Sequence, residues 1–360
     1  MKTKQLPEDF IVEEIIELPE LKENGSQTYF WLTKKNWTTE AAMRAISMAC
    51  NTSQRRFKFA GSKDKIAITK QLISAFKIPA EVLQKIKLKD ITIDVIGKGE
   101  APVSLGTLQG NRFEIVIRDL AKKDVAKLNK NFTKIKKSGF RNYFGEQRFG
   151  KGNTHLIGKA ILSGQLHEAV KEIICFAGEK EREDVKSAKK FAAQHWKDWP
   201  SILERFPQHL HLEIDVIKWL TRNPNDFAGA LRVLPKHIRK LYVHAYQSWL
   251  WNSALKSLKT ATKGNLLVPG FATKLGRDSF SKTVKKLLEK DNLTLESFKC
   301  ARMPEIAVEG EMRKAMIKPK SFKIYDADDD ELNTGKQKLK LSFVLPKGSY
   351  ATVLLETLQA

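Results

Sequence analysis

Asp64 is the residue whose neighbours most suggest chemistry. It stands in Ala60-Gly61-Ser62-Lys63-Asp64-Lys65, a lone carboxylate between two lysines just after a glycine turn. Cations that close favour the ionised carboxyl, and an ionised carboxylate can act as a nucleophile or as a general base. The same six residues also read as a charged surface turn, which local pattern by itself favours. A second segment is denser. Gly139-Phe140-Arg141-Asn142-Tyr143-Phe144-Gly145-Glu146-Gln147-Arg148-Phe149-Gly150 interleaves aromatics, arginines and amides with glycines. Flat rings stack a splayed base, amides bond its edge, and guanidinium groups hold phosphate. A glycine-punctuated turn with core phenylalanines fits those residues equally well. Gly106 to Asn111 lacks the full phosphate-loop pattern and is expected to be a hairpin turn. His209 and His211 have no companion ligands nearby, so no metal is expected. Cys50, Cys175 and Cys300 form no pair at metal or disulfide spacing.

These residues sit in a strongly basic chain. The 360 residues include 64 Lys plus Arg against 41 Asp plus Glu, a net charge of +23. Such an excess in a protein with 42% apolar residues is an electrostatic footprint for a polyanion, RNA or DNA before an anionic membrane surface. Residues 121 to 160 alone hold eleven Lys or Arg and two acidic residues. Nineteen Phe and seven Trp need burial, which excludes disorder as the main state. No apolar stretch reaches the roughly 18 residues of a membrane span, and the N-terminus shows no secretory signal, so a cytoplasmic protein is expected.

The elements that must position these residues follow from periodicity. Residues 9 to 16 and 28 to 34 read as strands, with turn chemistry at Glu23 to Ser26 between them. A helix is predicted from Thr38-Thr39-Glu40, with Ala41, Ala42, Ala45, Ile46 and Ala49 on one face. Residues 113 to 118 read as a strand preceded by a turn at Gly110-Asn111. Lys122 to Lys137 reads as a basic amphipathic helix, with Val125, Leu128, Phe132 and Ile135 inward and Gly139 as its stop. From about 152 to 250 the chain turns helical, for instance over Leu156 to Phe176 and Ile238 to Leu255. The acidic run Asp326 to Glu331 is expected in an exposed loop, and Leu339 to Leu345 and Tyr350 to Leu355 as late strands.

Taken together, the motifs resemble the TruD family of tRNA pseudouridine synthases. They are Pro7 to Glu14, Ala60 to Lys65, Asn142 to Gly150 and Leu345 to Thr352, joined by Gly106, Gly110-Asn111 and Phe113, and by Gln247-Ser248 through Asn252. They occur in family order from residue 4 to about 357. The resemblance implies an α+β fold: a pseudouridine synthase catalytic domain with a mixed, mostly antiparallel sheet and flanking helices, interrupted by an α/β insertion (TRUD) domain. By motif position the catalytic domain is 1–165 and 318–360, and the insertion is 166–317.

Carried over residue by residue, the resemblance makes Asp64 the catalytic aspartate and Lys4 its active-site lysine, pairing with Asp64 to orient it. Phe10 becomes a substrate-contacting aromatic, Asn142 and Phe144 lie at the target nucleotide, and Tyr350 takes the C-terminal aromatic position. Arg313 is similar to an arginine position in relatives and is expected at the RNA cleft, while Arg148 either contacts RNA or braces the Asn142 loop. The implied reaction isomerises uridine to pseudouridine, the family's usual target being position 13 in the D arm of tRNA. It breaks N1–C1′, turns the uracil and rejoins it through C5, with the base flipped out of its stack. Attack at C1′, addition to the pyrimidine ring and abstraction of the 2′ proton all remain open. No cofactor or metal is implied, the partner is tRNA rather than a membrane, and a monomer suffices. An RNA-binding protein or RNA chaperone without catalysis fits the composition equally, but has no need of an aspartate inside a basic pocket.

Overall fold

The computed structural model describes residues 1–260, 262 and 264–360. They form two compact units, residues 1–140 with 317–360, and residues 141–316.

The first unit is α+β. Its elements are β1 (Lys2–Thr3), β2 (Phe10–Ile16), β3 (Gln27–Lys35), α1 (Thr39–Ala49), β4 (Phe57–Phe59), β5 (Ile68–Phe76), α2 (Ala80–Gln84), β6 (Ile91–Gly99), β7 (Leu108–Leu120) and α3 (Lys122–Ser138). After the chain returns come β8 (Lys320–Asp329), β9 (Gln337–Pro346) and α4 (Ala351–Gln359). One nine-stranded sheet takes the order β8-β9-β7-β2-β5-β3-β6, with β1 on β7 and β4 on β5. Only the β2–β5 pairing is parallel, setting Ile11 against Ile68. The other pairings are antiparallel. Alternation along the strands feeds both faces. Ile73 and Ala75 of β5 join Phe30 and Leu32 of β3 beneath Ala42, Met43 and Ile46 of α1. Leu72, facing the other way, packs with Tyr29, Val103 and Leu108.

The second unit is chiefly helical, and its longest helix is Lys236–Ser257. It also holds a two-stranded antiparallel ribbon, Asn265–Val268 with Glu311–Lys314. Within it the run from Leu156 to Phe176 divides into Thr154–Leu162 and Leu166–Cys175.

Four expectations change. The buried face of α1 is Thr39, Ala42, Met43, Ile46 and Ser47, with Ala41 and Ala49 exposed. Burying Met43 is worth about 1.5–3 kcal/mol, more than alanine methyls offer, and this rotates the helix. Gly110 is no turn but lies inside β7 opposite Pro346, where a Cβ would stand 2.3 Å from the Leu345 carbonyl oxygen. Close strand approach, rather than reversal, is what demands glycine there. The acidic run is not a loop: Asp326 to Asp329 belong to β8, and the Asp330 side chain is buried against Arg118. Finally, Tyr350 to Leu355 is not a strand. β-Branched Thr352 and Val353 suggest extension, but Ala351, Leu354, Leu355 and Leu358 share a helical face, and α4 packs on α3.

Candidate active site

The 60–67 loop, between β4 and β5, carries Asp64. Lys4 donates to its carboxylate, Nζ to Oδ2 at 2.8 Å, with both side chains partly exposed at 22% and 33%. An ammonium and a carboxylate are thus in contact and open to solvent. Lys4 has a backbone φ of +59°, a left-handed conformation that costs a lysine about 1–2 kcal/mol. Surrounding structure must enforce it. β1 fixes the chain before it by pairing Thr3 with Ile117. The Leu6–Asp9 turn fixes the chain after it: the Leu6 amide donates to Asp9 at 2.9 Å, and Arg118 Nε donates to the other Asp9 oxygen at 2.8 Å.

Arg118 is a buried hub. Besides Asp9 it binds Asp330 at 2.9 Å and Glu331 at 3.1 Å. Burial pushes the Arg118 guanidinium down, but Glu331, Asp9 and Asp330 outweigh it and leave it raised. Burial likewise pushes the Asp330 carboxyl up. The Asp119, Asn333 and Leu332 donors and Arg118 together hold it well below the usual carboxylate range.

The Asp64 loop is itself anchored at several points. Gln71 Nε2 donates to the Gly61 carbonyl at 3.3 Å, and the Lys63 amide donates to Thr39 Oγ1 at 2.9 Å. Ser62 bonds Glu40. Lys63 Nζ pairs with Glu14, whose side chain is fully buried and whose second oxygen accepts from the Leu72 amide at 3.0 Å. Lys34 reaches the loop from β3: its Nζ donates to the carbonyls of Trp37 at 2.6 Å and Asp64 at 3.2 Å.

Phe10 is 2% exposed, its ring covered by the Lys4 ammonium at 4.1 Å and set edge-on to Phe113. It carries Lys4 and would meet a base only after that ammonium moves. Tyr350 stands, partly buried, at the N-terminal cap position of α4, four residues beyond β9.

Asn142, Phe144, Arg148 and Arg313 lie in the second unit. Asn142 is 3% exposed with its amide engaged: Nδ2 donates to the Lys314 carbonyl at 3.0 Å, and Oδ1 accepts from Arg313 at 2.9 Å. Trp251 Nε1 donates to the Asn142 carbonyl at 3.0 Å. Asn252 brackets Phe144, accepting from its amide at 2.8 Å and donating to its carbonyl at 2.9 Å. The Arg313 guanidinium lies 3.9 Å over the Phe144 ring, and that of Arg148 lies 5.5 Å from it. Arg148 Nε is buried without a hydrogen-bond partner among the described residues. Two cations over one ring suit an anionic, planar ligand such as a nucleotide.

Sequence reasoning missed Lys34, Glu14 and Arg118. For two of them a signal exists. Phe10, Val12 and Glu14 alternate inward on β2, and Phe30, Leu32 and Lys34 on β3. A charge at inward parity is a charge in the core. Among the described residues no group of three His, Cys, Asp or Glu could hold a metal ion, and no helix is long and apolar enough to cross a membrane.

The sequence model of the family described as tRNA pseudouridine synthase D (TruD) matches residues 1–265 and 259–358. A Methanosarcina acetivorans protein named "Probable tRNA pseudouridine synthase D" is 34% identical, over 98% of this chain and 91% of its own. The "tRNA pseudouridine synthase D" of Aquifex aeolicus is 32% identical, over 99% and 98%. A crystal structure of a Methanosarcina mazei protein described as the "Putative tRNA pseudouridine synthase D (TruD)" superposes with a TM-score of 0.79 at 32% identity, covering 99% of this chain and 93% of that one.

Proposed function

The chain belongs to the tRNA pseudouridine synthase D (TruD) family, and from that premise we propose that Asp64 is the carboxylate of its tRNA uridine isomerisation. The observation that carries this reading is the Lys4–Asp64 contact on a loop anchored at Gly61, Lys63 and Asp64 itself. A reacting carboxylate needs an oriented geometry and a counter-charge, and both are present. It acts as a nucleophile at C1′ or on the pyrimidine ring, or as a base toward the 2′ proton; the N1–C1′ bond breaks, and the uracil rejoins C1′ through C5, which gives up its proton. Base and sugar are rearranged without net oxidation, so no redox cofactor is required.

The target is the uridine at position 13, in the D arm, flipped out of its stack at a cost of a few kcal/mol. Phe144 and Tyr350 recover part of that by stacking, at about 1–3 kcal/mol per base, once Arg313 shifts from the Phe144 face. Arg313 and Arg148 then take RNA phosphate. Asn142 frames the Phe144 segment and meets the nucleotide by exchanging one of its internal bonds. Phe10 acts through Lys4. The domain reading stands with it: a catalytic domain over 1–165 and 318–360, the insertion 166–317 clamping RNA, and the protein working as a cytoplasmic monomer without metal.

The test compares wild type with Asp64→Ala on tRNA transcripts tritiated at uracil C5, measuring tritium release and filter binding together. New attachment at C5 must expel the label. Release by wild type but not by the variant, at similar binding, is expected. Undiminished release by Asp64→Ala overturns the role of Asp64. Tight binding without release by either protein favours an RNA binder.

A further inference from the structure

Asp64 meets a second lysine that nothing in the motifs points to. Lys34 lies near the end of β3, at the same inward parity as Phe30 and Leu32, and its side chain is 1% exposed. It has no ion pair within 4 Å among the described residues. Its ammonium donates instead to two carbonyl oxygens, those of Trp37 and Asp64. Burying an ammonium against carbonyls alone is expensive, and an apolar residue at this parity would extend the Phe30–Leu32 core. The charge therefore stands in a place where it can act on the Asp64 loop.

We propose that Lys34 is a positioning residue for the isomerisation: its buried ammonium holds the Asp64 backbone from beneath and keeps a fixed positive charge under the carboxylate that meets the uridine. The proposal rests on the reading of Asp64 as the catalytic carboxylate. Lys4 and Lys34 divide the work by exposure. Lys4 touches the carboxylate but is open to solvent, so arriving RNA phosphates compete for it. Lys34 is out of their reach. It grips the main chain at the residue whose side chain reacts, while Gln71, Thr39 and Glu14 grip the loop one to three residues earlier. Loss of the grip at Asp64 frees the carboxylate to wander, and a displacement of about 1 Å costs about 10²-fold in rate.

The charged groups facing Lys34 are Lys63 and Asp64 from the loop and Glu40 from α1; its sheet neighbours, Thr69 on β5 and Ile91 on β6, are uncharged. Burial, and then the Lys63 charge, push the Lys34 ammonium down to about 8, against the opposing pull of Asp64 and Glu40. The charge that holds Asp64 is therefore present below pH 8 and lost above it.

The experiment measures kcat, KM for tRNA and the pH–rate profile for wild type, Lys34→Met, Lys34→Arg and Asp64→Ala, with thermal unfolding as a check on folding. Wild type is expected to lose kcat as pH rises through about 8. Lys34→Met should drop kcat by about tenfold to 10²-fold with KM within about twofold, and should lack that alkaline limb. Lys34→Arg keeps a charge at all these pH values and should move the limb upward. Lys34→Met with kcat near wild type, or with a lowered kcat but the limb intact, overturns the proposal. Activity in Asp64→Ala overturns the underlying reading instead, so the two failures are separable. Should Lys34→Met not fold, ¹³Cε-labelled lysine NMR on wild type and Asp64→Asn decides. A lysine titrating near 8, and lower still in Asp64→Asn, supports the proposal; none titrating below about 9.5 overturns it.

Discussion

Replacing Arg118 with methionine should unfold the first unit early and do so through Asp9. Arg118 is 4% exposed, and Asp9 and Asp330 are 1% and 5% exposed. Methionine roughly fills the volume of the arginine stem but leaves two buried carboxylates facing apolar sulfur. Asp330 keeps the donors of Asp119, Leu332 and Asn333, so most of its solvation survives. Asp9 is left with the Leu6 amide. Removing one partner of a buried pair costs about 3–5 kcal/mol, because the remaining charge is uncompensated. With Asp330 largely satisfied, the Asp9 loss sets the figure at about 4 kcal/mol. At about 2–4 °C per kcal/mol for a unit of this size, the melting temperature should fall by about 8–16 °C. Differential scanning calorimetry and urea unfolding measure it. The double variant Asp9→Asn, Arg118→Met should recover most of the loss, since Asp9 is then uncharged while both Asp330 oxygens keep their donors. A single variant costing under about 1 kcal/mol, or a double variant no better than the single, would refute the reasoning.

Two further outcomes follow from the same geometry. Glu14→Gln keeps an acceptor for the Leu72 amide but leaves the Lys63 ammonium, 9% exposed, without its counter-charge; urea titration should show about 3–5 kcal/mol lost, and tritium release should fall more in kcat than in KM. Between pH 8 and 10.5 an unfolded Lys34 keeps a proton that the folded chain has released, so stability rises with pH across that window. Relative to Lys34→Met, wild type should gain up to about 3 kcal/mol there by urea titration, while its kcat falls over the same range.

Much of the sheet was legible because its strands are half-buried and alternate. β2, β3 and α3 lie where periodicity puts them. The Asp64 loop and the Asn142 to Gly150 segment were legible as motifs. Failures came where tertiary contact overrode local preference. Nothing local to residues 351–359 says that α3 awaits a helix there, and nothing local to Gly110 says that β9 passes close by. The acidic run looked solvated because its partner, Arg118, lies 212 residues away. Lys34 was missed for a different reason. Lysine is so rarely buried that its parity was outvoted by its type, which is how a functional charge in a core hides from composition.

The lane that β9 fills beside β7 has a consequence in time. A ribosome finishes β7 at Leu120 and must add roughly 200 residues before β9 begins at Gln337. At about 5–20 residues per second that takes about 10–40 seconds. Throughout, β7 offers thirteen residues of unpaired edge, and Arg118 holds Asp9 but still lacks Asp330. An edge that long invites pairing with a neighbouring nascent chain. Helix α3, the next segment to emerge, brings Lys122, Lys123, Lys127, Lys130, Lys134, Lys136 and Lys137. Seven like charges on that segment oppose close approach of two such edges during the wait.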